Sequence, residues 1–176
     1  MSDVAAAVAG HRSLIIDPRI WFAPGIPLAK AQGAIRSYAG GVTVEQILLL
    51  VDNTVWGGCG DGMMITSEHI HAHDMLDDCR CIPIREVKTV SVVGSFAPEL
   101  MINGTKFVTF NCIDIHERHN HEKLGALVMD LARLSKPDAV PSQSGGVSPG
   151  MDVRECPGCG APREGMGACI YCLRTF

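Results

Sequence analysis

The sequence predicts a small α+β domain, mainly β, followed by a separate cysteine-rich module. Three observations lead there. Over residues 43–113, short β-branched or aliphatic stretches alternate with turn residues, the rhythm of antiparallel strands. Over residues 119–135 the apolar period becomes helical, with Leu124, Leu127, Val128, Leu131 and Leu134 on one stripe. Beyond that stripe, Cys156/Cys159 and Cys169/Cys172 form two C-x-x-C pairs.

Composition narrows the function. The chain has 176 residues, 47% of them hydrophobic and 5% aromatic. One aliphatic core plus an appendage fits that length. A net charge of −4 without a basic block argues against holding nucleic acid or an anionic membrane by bulk charge. The start, MSDVAAAVAGHRS, lacks a cationic region and a long apolar run, so a cytoplasmic protein is expected. Eight cysteines without an export signal favour metal binding or buried thiols over disulfides.

Residues 1–42 read as an N-terminal arm and a short helix. Pro18, Pro24 and Pro27 interrupt regular structure in the arm, which is expected to be extended and to dock on its own domain or a partner. The helix fits residues 29–38 and ends at Gly40-Gly41. The main domain covers residues 43–134. Strands are expected over residues 47–56, 63–66, 69–75 and 87–93, with GGCGDG (57–62) as a turn. Residues 100–102 run into Asn103-Gly104, a strong hairpin signal, and residues 106–113 return. A helix then closes the open face of the sheet. Residues 135–154 hold three prolines, three glycines and four serines and read as a flexible linker. Residues 155–176 are the terminal module.

The segments DGMMITSEHIHAHDM, IPIREVKTVSVV and LMINGTKFVTF, with the helix after them, resemble the bacterial pleckstrin-homology-like (PH-like, or GRAM-like) domains. The resemblance covers residues 43–134. It implies a small antiparallel PH-like sheet or barrel capped by a C-terminal helix. It also implies a non-catalytic role in docking proteins, lipids or other domains.

The segment CPGCGAPREGMGACIYC carries the most specific chemistry. Zinc prefers four thiolates in a tetrahedron, and each C-x-x-C turn brings two sulfurs to one metal. Cys156, Cys159, Cys169 and Cys172 are therefore the expected ligands of one structural Zn2+. The module resembles the short bacterial zinc ribbons, though Leu173 stands where a second knuckle usually has glycine, and the nine-residue gap between pairs is short. About 22 residues bury too little surface to fold without metal. A redox C-x-x-C is the alternative. Four cysteine ligands leave no open position, which argues against catalytic zinc. Arg154, Arg163 and Arg174 balance Asp152, Glu155 and Glu164, so protein contact is expected over nucleic acid. Ile170, Tyr171, Leu173 and Phe176 would form the ribbon's partner-binding surface.

The stretch HIHAHDMLDDCRC (69–81) invites a different reading. His69, His71, His73 and Asp74 resemble the His-x-His-x-Asp-His motif of metallo-β-lactamase-fold hydrolases, with the last two residues reversed. On a strand, the three histidines share one face and Ile70 and Ala72 the other. A strand with Ile70 and Ala72 inward and the histidines in solvent explains the same pattern, with Asp77-Asp78 as a turn. His69, His71 and His73 are thus candidate ligands of a second metal. His116, His119 and His121 read as a polar helix entrance capped by Asn120.

The expected function is a non-enzymatic adaptor that binds protein partners through the PH-like domain and the zinc ribbon. Residues 43–134 hold seven Lys/Arg against thirteen Asp/Glu, so protein is expected over lipid. A homo-oligomer is a second expectation, through edge strands. The alternatives are a metal-dependent hydrolase using His69, His71 and His73, and a lipid-binding PH-like module.

Overall fold

The computed structural model describes residues 3–75, 77–113 and 119–135, and the backbone of 154–155 and 162–163. The chain divides into two compact units, Met1–Pro137 and Asp138–Phe176. The first is α+β and mainly β, with two antiparallel sheets and a C-terminal helix.

The first sheet runs in chain order: β1 (Ile20–Phe22), β2 (Leu49–Asp52), β3 (Gly62–Ile65), β4 (His69–His73) and β5 (Arg80–Pro83). The second contains β6 (Val90–Val93), β7 (Glu99–Ile102) and β8 (Thr105–Thr109). Helix α1 (Asp3–His11) precedes β1, α2 (Leu28–Tyr38) follows it, and α3 (Asn120–Leu134) closes the unit. Asn103 and Gly104 both have positive φ, 53° and 78°, as a tight hairpin turn between β7 and β8 requires.

The main core lies between the sheets and under α3. Leu49 and Val51 of β2, Met63 and Ile65 of β3, and Ile70 and Ala72 of β4 pack with Leu100, Val108 and the Leu124, Leu127, Val128 and Leu131 stripe. A second apolar layer covers the opposite face of the first sheet. Leu50 and Met64 pack there with Ala31, Ala34 and Tyr38 of α2. β2 and β3 are therefore buried on both faces. Helix α2 also carries the close approach of Gly33 to the loop after β2, where an added Cβ would lie 2.3 Å from the Gly58 carbonyl oxygen.

Several expectations change. The stretch read as an extended arm contains α1, whose His11 Nε2 lies 3.2 Å from Asp130 Oδ2 of α3. It also contains β1, which pairs with β2. Asn120 does not cap α3; His119 holds the N-cap position with a left-handed backbone. The Asn120 side chain instead accepts a bond from Ile16 N (3.3 Å) and donates to Ile16 O (3.1 Å), fastening the arm to α3. Residues 80–83 form a strand, where the sequence suggests only the end of a turn around Asp77-Asp78.

Two buried polar side chains join the sheets at one end. Asn53, just after β2, donates to Thr109 O and accepts from Asn111 N (2.8 Å) and Cys112 N (3.2 Å). Asp74, just after β4, accepts from Thr109 N and Oγ1, each at 3.1 Å. These bonds satisfy groups that would otherwise be buried unpaired.

Candidate functional site

The joint at Thr109 decides which loops share an end. Asp52, Gly62 and His73 are register partners across β2, β3 and β4. Glu99 pairs with Thr109, and Phe110 N donates to Pro98 O (2.7 Å). The β2–β3 loop, the β4–β5 loop and the β6–β7 hairpin therefore all emerge at the end stitched by Asn53 and Asp74. Each presents a large apolar side chain to solvent: Trp56 is 96% exposed, Met75 72% and Phe96 88%.

The β2–β3 loop is firmly held. Asp52 is buried, and its Oδ1 accepts from Thr54 N (3.0 Å), Thr54 Oγ1 (2.5 Å) and Cys59 N (3.2 Å). Its Oδ2 takes the Lys30 ammonium of α2 at 2.9 Å. Lys30 also donates to the Gly57 carbonyl, and Ser37 Oγ donates to Gly60 O at 2.7 Å. Burial works to raise the Asp52 pKa, but the Thr54 hydroxyl, Lys30 and the remaining donors together hold it below the usual carboxylate value. Burial, then Asp52, push the adjacent Cys59 thiol up to about 12, so it is protonated at neutral pH. The loop is thus braced from beneath while Val55 and Trp56 point outward.

The histidine face of β4 is largely covered: His71 is buried, and His69 and His73 are half-buried. His69, His71 and His73 share the side of the sheet that faces α2, and the register sets Met64 and Cys81 opposite His71. His73 stacks on Tyr38 at 6.2 Å, and its Nδ1 lies 2.8 Å from Asp61 Oδ1 and 3.0 Å from Gly60 O. Those contacts draw His73 toward the loop and away from its neighbours. His69 and His71, with ring centroids 5.9 Å apart, line a polar cleft of about 320 Å³ with Glu68, Gln46, Thr66 and Cys81. Correction of the solvated-strand reading follows from α2, which supplies a layer that alternation alone does not reveal.

Burial, then the neighbouring His69, holds the His71 imidazole below its ordinary value of 6.5. The unfolded chain therefore takes up this proton first as the pH falls. The contribution is fully present above pH 6.5 and is lost as the pH falls toward the depressed folded value. Resistance to thermal unfolding is expected to weaken as the pH falls below 6.5, with part of that slope removed in His71→Gln. An unchanged slope in the variant would assign the acid sensitivity to other groups.

Among the described residues, His119, His121 and Glu122 are the group of three whose ligand atoms all lie within 4.8 Å of one another. His69, His71 and His73 do not converge in this way. The sequence signal is present as His-x-His-Glu at the helix entrance, but it reads equally as polar capping.

Cys156, Cys159, Cys169 and Cys172, and Ile170, Tyr171, Leu173 and Phe176, lie outside the described residues. The backbone beside the first cysteine pair is described: β9 (Arg154–Glu155) pairs antiparallel with β10 (Pro162–Arg163). Residues 156–161 connect these two strands.

Comparison with family models, with curated proteins and with solved structures gives no match. Among the described residues, no helix is long and apolar enough to cross a membrane.

Proposed function

We propose that this chain is a non-enzymatic adaptor. Its β unit is PH-like and docks a protein partner through the three loops at the Asn53–Asp74 end. Its four-cysteine zinc ribbon makes a second protein contact through Ile170, Tyr171, Leu173 and Phe176. The observation that carries this reading is that Trp56, Met75 and Phe96 are each exposed on a different loop of one end. A large aromatic side chain as exposed as Trp56 is costly to leave in water, and tryptophan anchors are enriched among the residues that dominate binding energy. The PH-like reading is supported by the order of elements: a sheet of consecutive antiparallel strands, a second of three, then a closing helix.

Protein suits the surface better than lipid. Residues 43–134 carry a charge of −6 from seven Lys/Arg and thirteen Asp/Glu. Lys106 and Arg80, the cations beside the β4–β5 loop, are held by Asp77 at 2.7 and 3.0 Å, so they offer little to an anionic headgroup. The tether between the units would raise the effective concentration of one contact once the other is made.

A photoreactive amino acid at position 56 identifies the occupant by the adduct it forms. The expected adduct is a protein. Titration with that protein should then show Trp56→Ala weakening binding by about 2 kcal/mol or more, roughly 30-fold. Unfolding should shift by no more than ~0.5 kcal/mol, because the side chain stands in solvent. Adducts with lipid only, together with binding to anionic vesicles at low salt, would replace this reading with a membrane one.

A further inference from the structure

We infer that His119, His121 and Glu122 form a binding site for a divalent transition metal at the entrance of α3, distinct from the ribbon. Two imidazoles and a carboxylate are a donor set suited to Zn2+, Co2+ or Ni2+. Their ligand atoms lie within 4.8 Å of one another. His119 Nδ1 is 3.8 Å from Glu122 Oε2, and the two imidazole centroids are 6.1 Å apart. A shared ion at about 2.0–2.2 Å from each ligand needs only a modest inward turn of the exposed His119 and Glu122 side chains.

The backbone sets up this arrangement. His119 holds φ 48°, the left-handed region, which costs a non-glycine residue about 1–2 kcal/mol. That conformation, at the break before α3, brings a residue outside the helix beside two residues of its first turn. The positive end of the helix opposes a cation there. The Glu122 carboxylate, itself one of the three ligands, offsets it. Three protein ligands leave positions for water, so the ion is held less tightly than one enclosed by four thiolates.

The site has a structural consequence. Asn120 sits between the two histidines in sequence, and its side chain binds both backbone groups of Ile16. An ion that fixes residues 119–122 also fixes the residue that fastens the arm. Metal binding should therefore steady the attachment of the arm to α3.

The test uses the full chain with its ribbon first loaded with zinc. Added Zn2+ is titrated against a chromophoric chelator, while amide exchange is followed at Ile16. The expected result is one further, weaker equivalent and slower exchange at Ile16 when it binds. His119→Ala and Glu122→Gln, both at exposed positions, should weaken this equivalent by at least the 10–100-fold that loss of an outer-shell partner costs. They should not affect the ribbon's zinc. His121→Ala is informative only if its unfolding matches the wild type, because that side chain is buried. The inference is overturned if no second equivalent binds. It is also overturned if His119→Ala and Glu122→Gln leave that equivalent unchanged, or if His69→Ala or His71→Ala removes it. Unchanged exchange at Ile16 on metal binding would overturn the coupling to the arm.

Discussion

Serine at both Cys156 and Cys159 is expected to abolish tight zinc binding and to leave the terminal module unfolded. Two thiolates cannot close a tetrahedral site. Apparent binding energies of about 10–16 kcal/mol hold such modules together, so loss of the metal is loss of the fold. A segment of about 22 residues has no core to fall back on. The β unit should be indifferent, because it is a compact unit of its own in which Leu49, Ile65, Leu100, Leu127 and Val128 share one core. The measurement is zinc retained through gel filtration in a competing chelator, with thermal unfolding of the β unit run alongside. Wild type should retain one equivalent and the double variant none, at the same unfolding temperature. The α3 site is too open to survive the chelator, so it does not blur the count. Zinc retained by the double variant would reject a four-cysteine ribbon.

How far the sequence discloses this molecule depends on whether the relevant contact is local. The β7–β8 hairpin is legible because Asn103-Gly104 supplies its own geometry, φ 53° and 78°. Helix α3 is legible because its stripe repeats at helical spacing along its whole length. Strand β5 is not, because Arg80-Cys81-Ile82-Pro83 has neither alternation nor a run of β-branched residues. Its place is set by pairing with β4, a tertiary override of weak local preference. Helix α1 is hidden behind the prolines that follow it, and it is steadied by packing against α3.

The candidate site divides in the same way. Period-two alternation correctly puts His69, His71 and His73 on one face. It cannot say that α2 lies on that face, or that His73 turns to Asp61 and Tyr38. The three-loop end is invisible for a further reason. Trp56, Met75 and Phe96 belong to different strand connections, and two sets of polar bonds bring those connections together: Asn53 and Asp74 each reach more than thirty positions along the chain to Thr109. Nothing in the local sequence marks such residues. They resemble ordinary turn formers until the register is known.

Alanine at Gly62 should cost the β unit about 3–5 kcal/mol, the sum of backbone strain and a steric clash. Gly62 is the last residue of GGCGDG, where the sequence suggests a turn, yet it opens β3 between Asp52 and His73. Its φ is +139°, a conformation L side chains rarely adopt, and an added Cβ would lie 2.0 Å from the Val51 carbonyl oxygen and 3.1 Å from Asn53 N. Both obstacles are backbone, so neither can swing aside. Relief requires β2 and β3 to separate where both are buried on two faces. The same displacement would move Asn53 from Thr109 and disturb the loop that presents Trp56. Stability and partner binding should therefore fall together, unlike in Trp56→Ala. Gly40→Ala is the control: nothing lies within 4 Å of its Cβ position, and the expected change is within ~0.5 kcal/mol. Urea unfolding of wild type and the two glycine variants measures the difference. A Gly62→Ala protein as stable as Gly40→Ala would mean that β2 and β3 do not meet in this register.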